Sequence, residues 1–222
     1  MRYLFISILL ITFLMGCTGS GNEPEAAPDV LFSDSFVPGE TGDWEIEGDA
    51  QGVTSVTNEQ LVIELNAPNT LQFSTLADHT FDDFVLEVDG RQTSGDLGNT
   101  YGVLFRMQDP GRFYRFEING NGQYMLERRN GDGSWTRFVD DWTDTEAIKQ
   151  GISVVNRLKV EANGPNMAVY VNDQLVQQIT DSAYLRGNIA LDAGTFIQPH
   201  TKVAFDNVLV RQIGGGEESN TQ

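Results

Sequence analysis

The sequence predicts an all-β fold. Short runs in which apolar and polar residues alternate with a period of two recur along most of the chain, and Gly, Asn, Asp and Pro separate them. No amphipathic run is long enough for more than a turn or two of helix.

The elements follow in order. Met1 and Arg2 give a short basic start, and Leu4 to Leu14 is a nearly unbroken apolar run that ends at Met15-Gly16-Cys17. This is the layout of a secretory signal peptide, so residues 1–16 are expected to be removed after export. The run is too short for a permanent span, which takes roughly 20 helical residues across a core of about 30 Å. Cys17 is the one cysteine of the chain, so no disulfide within it is possible and an apolar core has to hold the fold. Leu14-Met15-Gly16-Cys17 resembles the bacterial lipobox, which implies that Cys17 is acylated and becomes the new first residue. Thr18 after it, in place of Asp, resembles lipoproteins that are not retained at an inner membrane. Cleavage of an ordinary signal peptide nearby, leaving a stray thiol, is the alternative.

Residues 17–30 carry small, polar and proline residues without periodicity and are expected to be a tether. Residues 31–213 are expected to form one domain, and 214–222, opening on three glycines, a disordered tail. Within the domain the clearest strand-like runs are Gln60 to Leu65, Thr70 to Leu76, Phe84 to Gln92, Tyr101 to Gln108, Phe113 to Asn119 and Gln123 to Arg129. They continue with Trp135 to Trp142, Asn156 to Ala162, Ala168 to Val171, Leu175 to Thr180, Asn188 to Asp192 and Val203 to Gln212. Turn sequences at Asp109-Pro110-Gly111, Asn119 to Gly122 and Asn130 to Gly133 predict a four-stranded meander over 101–142 with left-handed turn residues, and Asn172-Asp173 predicts another tight turn.

A formal charge of −18 excludes nucleic acid as a partner, since binding it needs a basic surface, and disfavours an anionic membrane surface. With His79 and His200 as the only histidines, no metal-binding spacing is present, and an acylated Cys17 leaves no thiol nucleophile.

From Leu31 to Ile213 the order of segments resembles the concanavalin-like lectin and glucanase superfamily, especially bacterial domains related to 3-keto-disaccharide hydrolases. The residues that carry the likeness are Phe32 to Phe36, Asp83 to Asp89, Tyr101 to Arg106, Asn156 to Val160, Val169 to Asn172, Gly187 to Leu191 and Val203 to Val210. The resemblance implies a jelly-roll sandwich of two curved antiparallel sheets, first and last strands paired, with a concave face that relatives use for carbohydrate.

Strand alternation predicts one charged strip on that face: Glu87, Asp89, Arg91, Arg106, Arg115, Glu117 and Glu127. Such groups can hold sugar hydroxyls, and Tyr101, Trp135 or Trp142 can stack on a ring. The same strip can equally be a cross-strand ladder of opposite charges. Glu87, Asp89 and Glu117 are the candidate catalytic carboxylates. Glu87-Val88-Asp89 resembles the start of the Glu-x-Asp-x-x-Glu signature of laminarinase-type glucanases, but Gln92 stands where the second glutamate belongs. Asp206, in the closing Asp-x-Val-x-Val strand, resembles the residue that helps hold a structural Ca²⁺ in concanavalin-like glucanases; otherwise it hydrogen-bonds the opening strand near Asp34. No cofactor is expected to be required.

The function expected is a surface-displayed, extracytoplasmic lipoprotein, monomeric, whose domain binds a glycan or polysaccharide without catalysis, held to its membrane by lipid. A glycoside hydrolase of the 3-keto-disaccharide hydrolase kind and a protein-binding accessory lipoprotein are the alternatives.

Overall fold

Alternation of residue type becomes alternation of burial in the computed structural model, which describes residues 30–37 and 42–213. The expected signal peptide, Cys17, most of the tether and the tail lie outside the described residues. Fifteen strands follow one another: β1 (Val30–Asp34), β2 (Gly52–Thr57), β3 (Gln60–Leu65), β4 (Leu71–Thr75), β5 (Phe84–Ser94), β6 (Thr100–Asp109), β7 (Arg112–Asn119) and β8 (Gln123–Arg129). Then come β9 (Trp135–Arg137), β10 (Thr143–Asp144), β11 (Asn156–Asn163), β12 (Asn166–Val171), β13 (Gln174–Thr180), β14 (Asn188–Gly194) and β15 (Thr201–Gln212). No helix occurs among the described residues.

The strands form two antiparallel sheets. One has eight strands in the order β13-β12-β11-β5-β15-β3-β2, with β1 added against β15. The other has seven, in the order β10-β8-β7-β6-β14-β4, with β9 also on β8. The chain changes sheet repeatedly, so β5 and β6, consecutive in sequence, lie in different layers, and β14 enters between β6 and β4. First and last strands pair, with Phe32 opposite Val210. This is the jelly-roll sandwich that the sequence predicts.

Between the layers lies one apolar core. Phe84, Leu86 and Val88 of β5 and Val203 and Phe205 of β15 face Val103 and Phe105 of β6 and Tyr114, Phe116 and Ile118 of β7, all buried. A core of this extent holds a chain of this length without a disulfide.

The structure corrects the sequence reading at four places. β2 was not among the expected runs; its Thr and Ser residues blur the alternation of an edge strand. It turns into β3 through Asn58 and Glu59, at φ of 51° and 58°. The run Trp135 to Trp142 breaks after Arg137, so the meander ends on a three-residue strand. At Asp109-Pro110-Gly111 no residue adopts positive φ; the turn is held instead by the Asp109 carboxylate, which accepts from Gly111 N at 2.9 Å. The fourth is a bulge in β6 at Arg106, whose φ is 49°. Beyond it the alternation slips by one, so Met107 packs with Leu104, Phe113 and Ala190 on the outer side of the sheet rather than with Phe105 in the core.

Candidate functional site

The expected single charged strip is divided between two faces, because β5 and β6 lie in different sheets. Glu87, Asp89 and Arg91 of β5 look out from the eight-stranded sheet; Arg115, Glu117 and Glu127 look out from the seven-stranded one.

On the eight-stranded face each charge of β5 has a partner on another strand. Glu87 meets Arg211 at 2.9 Å, Asp89 meets Arg157 at 3.0 Å, and Arg91 donates to Gln60 at 2.8 Å. Lys159 and Lys202 pair with Glu161 and Glu64. This is the ladder that the sequence offered as the alternative reading, and it removes Glu87 and Asp89 from the vicinity of Glu117. Beside it Asp206 stands opposite Asp89 and accepts from Asn207 N at 2.7 Å, closing a bulge in β15. Asp34 takes its own donors elsewhere, from Phe36 N and Trp44 Nε1. Among the described residues no group of three or more acidic or histidine side chains is placed to hold a metal.

Two expected ligand residues are structural. Arg106 is buried at the end of the sandwich, where its guanidinium donates to Gly164 O at 2.6 Å, Tyr184 O at 3.4 Å, Asp82 O at 3.2 Å and Asp83 Oδ1 at 3.3 Å. The bulge turns it away from the sheet face and into a clasp on three loops. Tyr101 lies in the core edge-on to Phe205, and its hydroxyl accepts from Asn156 Nδ2 at 3.2 Å. Its ring is closed to a sugar. Trp142 packs edge-on against Phe196 on a loop beyond the sheet.

What remains is an acidic cluster on the outer face of the seven-stranded sheet. In adjacent strands Asp192, Gly102 and Glu117 stand side by side, and in the next row Ala190, Leu104, Arg115, Glu127 and Arg137 do so. Gly102 admits a close approach: a Cβ there would lie 2.1 Å from Phe116 O. Arg115 Nε donates to Glu127 Oε1 at 3.1 Å and lies 3.2 Å from Glu117 Oε2. Glu117 also accepts from Thr100 Oγ1 at 2.7 Å. Burial alone would pull the Arg115 guanidinium down, but the neighbouring carboxylates, Glu117 first and then Glu127, outweigh it and hold its pKa up.

Above the cluster is an aromatic rim. Trp135 is 37 % exposed, with the guanidinium carbons of Arg115 and Arg129 at 4.5 and 5.0 Å from its ring centre. Phe113 meets it edge-on at 5.8 Å. The face thus offers an amphipathic platform and preset donors and acceptors, the combination a sugar ring and its hydroxyls need. A hollow of about 640 Å³ lies on the other sheet, beside exposed Asn163, Asn166 and Gln178, but none of the buried unpartnered polar atoms lines it.

Sequence reasoning missed Asp192, which is wholly buried, with neither carboxyl oxygen meeting a donor among the described residues. The available signal was an acid in the apolar strand Asn188 to Gly194. Its neighbours depended on β14 lying beside β6, which local pattern does not reveal.

Strand order and polar outer face together define a concanavalin-like β-sandwich of the lectin and glucanase class. The family model described as the 3-keto-alpha-glucoside-1,2-lyase-like domain matches residues 30–211, and the chain belongs to that family. Among solved structures, the carbohydrate binding module CBM66 from Bacillus subtilis is 21 % identical, with a TM-score of 0.61 over 80 % of this chain and 99 % of its own. The Bacillus licheniformis beta-glucanase is 12 % identical, with a TM-score of 0.60 over 82 % and 98 %. The laminarinase catalytic domain from Thermotoga maritima, also 12 % identical, gives 0.59 over 84 % and 98 %. At these identities the likeness is one of fold. No curated protein matches the sequence.

Proposed function

We propose that this chain is an exported lipoprotein, tethered through Cys17, whose domain binds carbohydrate on the outer face of the seven-stranded sheet. The observation that carries this reading is Trp135, exposed beside Arg115 and the Glu127 carboxylate. An aromatic surface next to ion-paired, pre-oriented hydrogen-bonding groups suits a saccharide, whose rings have apolar faces and whose hydroxyls both donate and accept. The fold shared with a carbohydrate binding module and glucanases supports it.

A glycan array followed by titration calorimetry on the full chain tests the proposal. Binding to at least one polysaccharide in the millimolar to micromolar range is expected, about 4 to 8 kcal/mol. Trp135→Ala and Arg115→Ala should each weaken it by roughly tenfold or more, the usual effect of losing a central aromatic or Arg contact. Arg106→Ala should instead cost about 3 kcal/mol of stability, because three loops lose a buried cationic donor. No binding to any glycan, or equal affinity in Trp135→Ala and the parent, sinks the idea.

A second reading, cleavage of a 3-keto-glucoside, draws on the family and on the buried Asp192, whose carboxyl burial holds well above the usual range, since perturbed acids gather at catalytic sites. Product release from a 3-keto-glucoside by the purified chain decides for it.

A further inference from the structure

Asp192 of β14 and Glu117 of β7 approach each other across β6 because the residue between them, Gly102, has no side chain. Both are buried. Glu117 accepts from Thr100 Oγ1 at 2.7 Å and is ion-paired with Arg115, whose Nε lies 3.2 Å away, whereas Asp192 meets no donor among the described residues. The polar group facing Asp192 across Gly102 is the Glu117 carboxyl, whose Oε1 reaches β14, 3.6 Å from where a Cβ on Gly194 would stand. Two ionised carboxylates cannot make that contact, since both only accept; with a proton on one, repulsion becomes an O–H···O bond. Glu117 is engaged as an acceptor on its other sides, so the proton belongs on Asp192.

We infer that Asp192 is a positioning residue of the binding face: its carboxyl donates a shared proton to Glu117, and Glu117 so held fixes Arg115 beneath Trp135. The charged groups facing Asp192 are Arg115 and Glu117 from β7 and Glu127 from β8; β6 and β4 present Thr100, Gly102 and Phe73. Among these described groups Arg115 is the one cation. Loss of the proton therefore leaves one guanidinium among three carboxylates, and Arg115 is drawn toward Asp192 and off the Trp135 ring. Burial first, and Glu117 second, keep Asp192 well above the usual carboxylate range, with Arg115 opposing.

The inference rests on the carbohydrate-binding reading for its binding readout, and its spectroscopic readout is independent of any ligand. Infrared difference spectra of the full chain should show a protonated carboxyl band at neutral pH. That band should be missing in Asp192→Asn, and also in Glu117→Gln, whose amide gives Asp192 a donor and lets it ionise. Trp fluorescence of the parent should shift as the band disappears with rising pH, and the shift should be absent in Asp192→Asn. Glycan affinity of the parent should fall about tenfold over the same range, ~1.4 kcal/mol, with the fall flattened in Asp192→Asn. Absence of the band at neutral pH, its persistence in both variants, or a fluorescence shift that survives Asp192→Asn overturns the inference. If the band and the fluorescence shift behave as expected and no glycan binds at any pH, the shared proton stands and the carbohydrate reading falls.

Discussion

At the scale of single residues, the protein assigns similar side chains opposite tasks by where the backbone carries them. Arg106 and Arg115 lie nine positions apart, both on strands of the seven-stranded sheet, yet one clasps loops at the end of the sandwich and the other lies on the outer face. A positive φ at Arg106 makes the difference. Tyr101 shows burial acting on a titratable group: desolvation, opposed by the Asn156 amide, pushes its hydroxyl up to about 12, and burial likewise raises Tyr114 to about 12. The unfolded chain gives up those protons near the ordinary value of about 10, before the folded one does, so stability is present in full below about pH 10 and is lost as pH rises through the interval to about 12. Urea midpoints between about pH 9 and about pH 11 should fall, and fall less in Tyr101→Phe, which itself costs about 1 kcal/mol through the hydrogen bond lost to Asn156. A midpoint that declines as steeply in Tyr101→Phe as in the parent contradicts this assignment.

At the scale of elements, glycine at the middle of β6 allows two carboxyls to meet. Gly102 has ordinary strand conformation, so its role is close approach rather than turn geometry: a Cβ would also stand 2.7 Å from the Glu117 Cα. Gly102→Ala should therefore push β6 from β7 and cost about 2 kcal/mol or more, in the range of other overpacked sites, as read by chemical unfolding. Denaturation equal to the parent's would show that the strands tolerate the methyl group. The turn between β12 and β13 is a contrasting case, since Asn172 and Asp173 both hold positive φ, 50° and 65°, as Asn-Asp between two alternating runs foretells. There the local pattern was sufficient. For β9 it was not: the run from Trp135 to Trp142 suggested one strand, but the strand ends at Arg137 and the chain places Phe138 and Val139 against the core.

At the scale of the whole molecule, the first described strand belongs to the eight-stranded sheet, paired with the last, while the Trp135 face looks out from the other layer. The proposed tether would therefore join the sandwich at Val30, on the sheet that does not carry the candidate site, an arrangement that suits outward display. If the proposed acylation holds, Cys17→Ser moves the protein from the membrane to the soluble fraction, measured by fractionation, and leaves the melting temperature of the domain within about 1 °C, since the described core runs from Phe36 to Val210. Retention in the membrane by the variant would refute acylation at Cys17.

The sequence by itself determined what depends on short-range order. Period-two alternation fixed most strands and their inward residues, as in β3 and β8, which run over the residues the pattern picks out. It also placed Arg115 and Glu117 on one face opposite Tyr114, Phe116 and Ile118, because side chains on a strand must alternate. Tertiary structure decided which faces belong together. Glu87 and Glu117 each stood correctly on their own strand, but the crossing between β5 and β6 put them on opposite sides of the molecule. Asp192 and Glu117 are 75 positions apart in the chain and meet because β14 inserts beside β6. Strand order is set by which whole faces bury the most apolar surface together, a property of all fifteen strands at once. The site lies between distant segments, so it became visible only when the sheets were assembled.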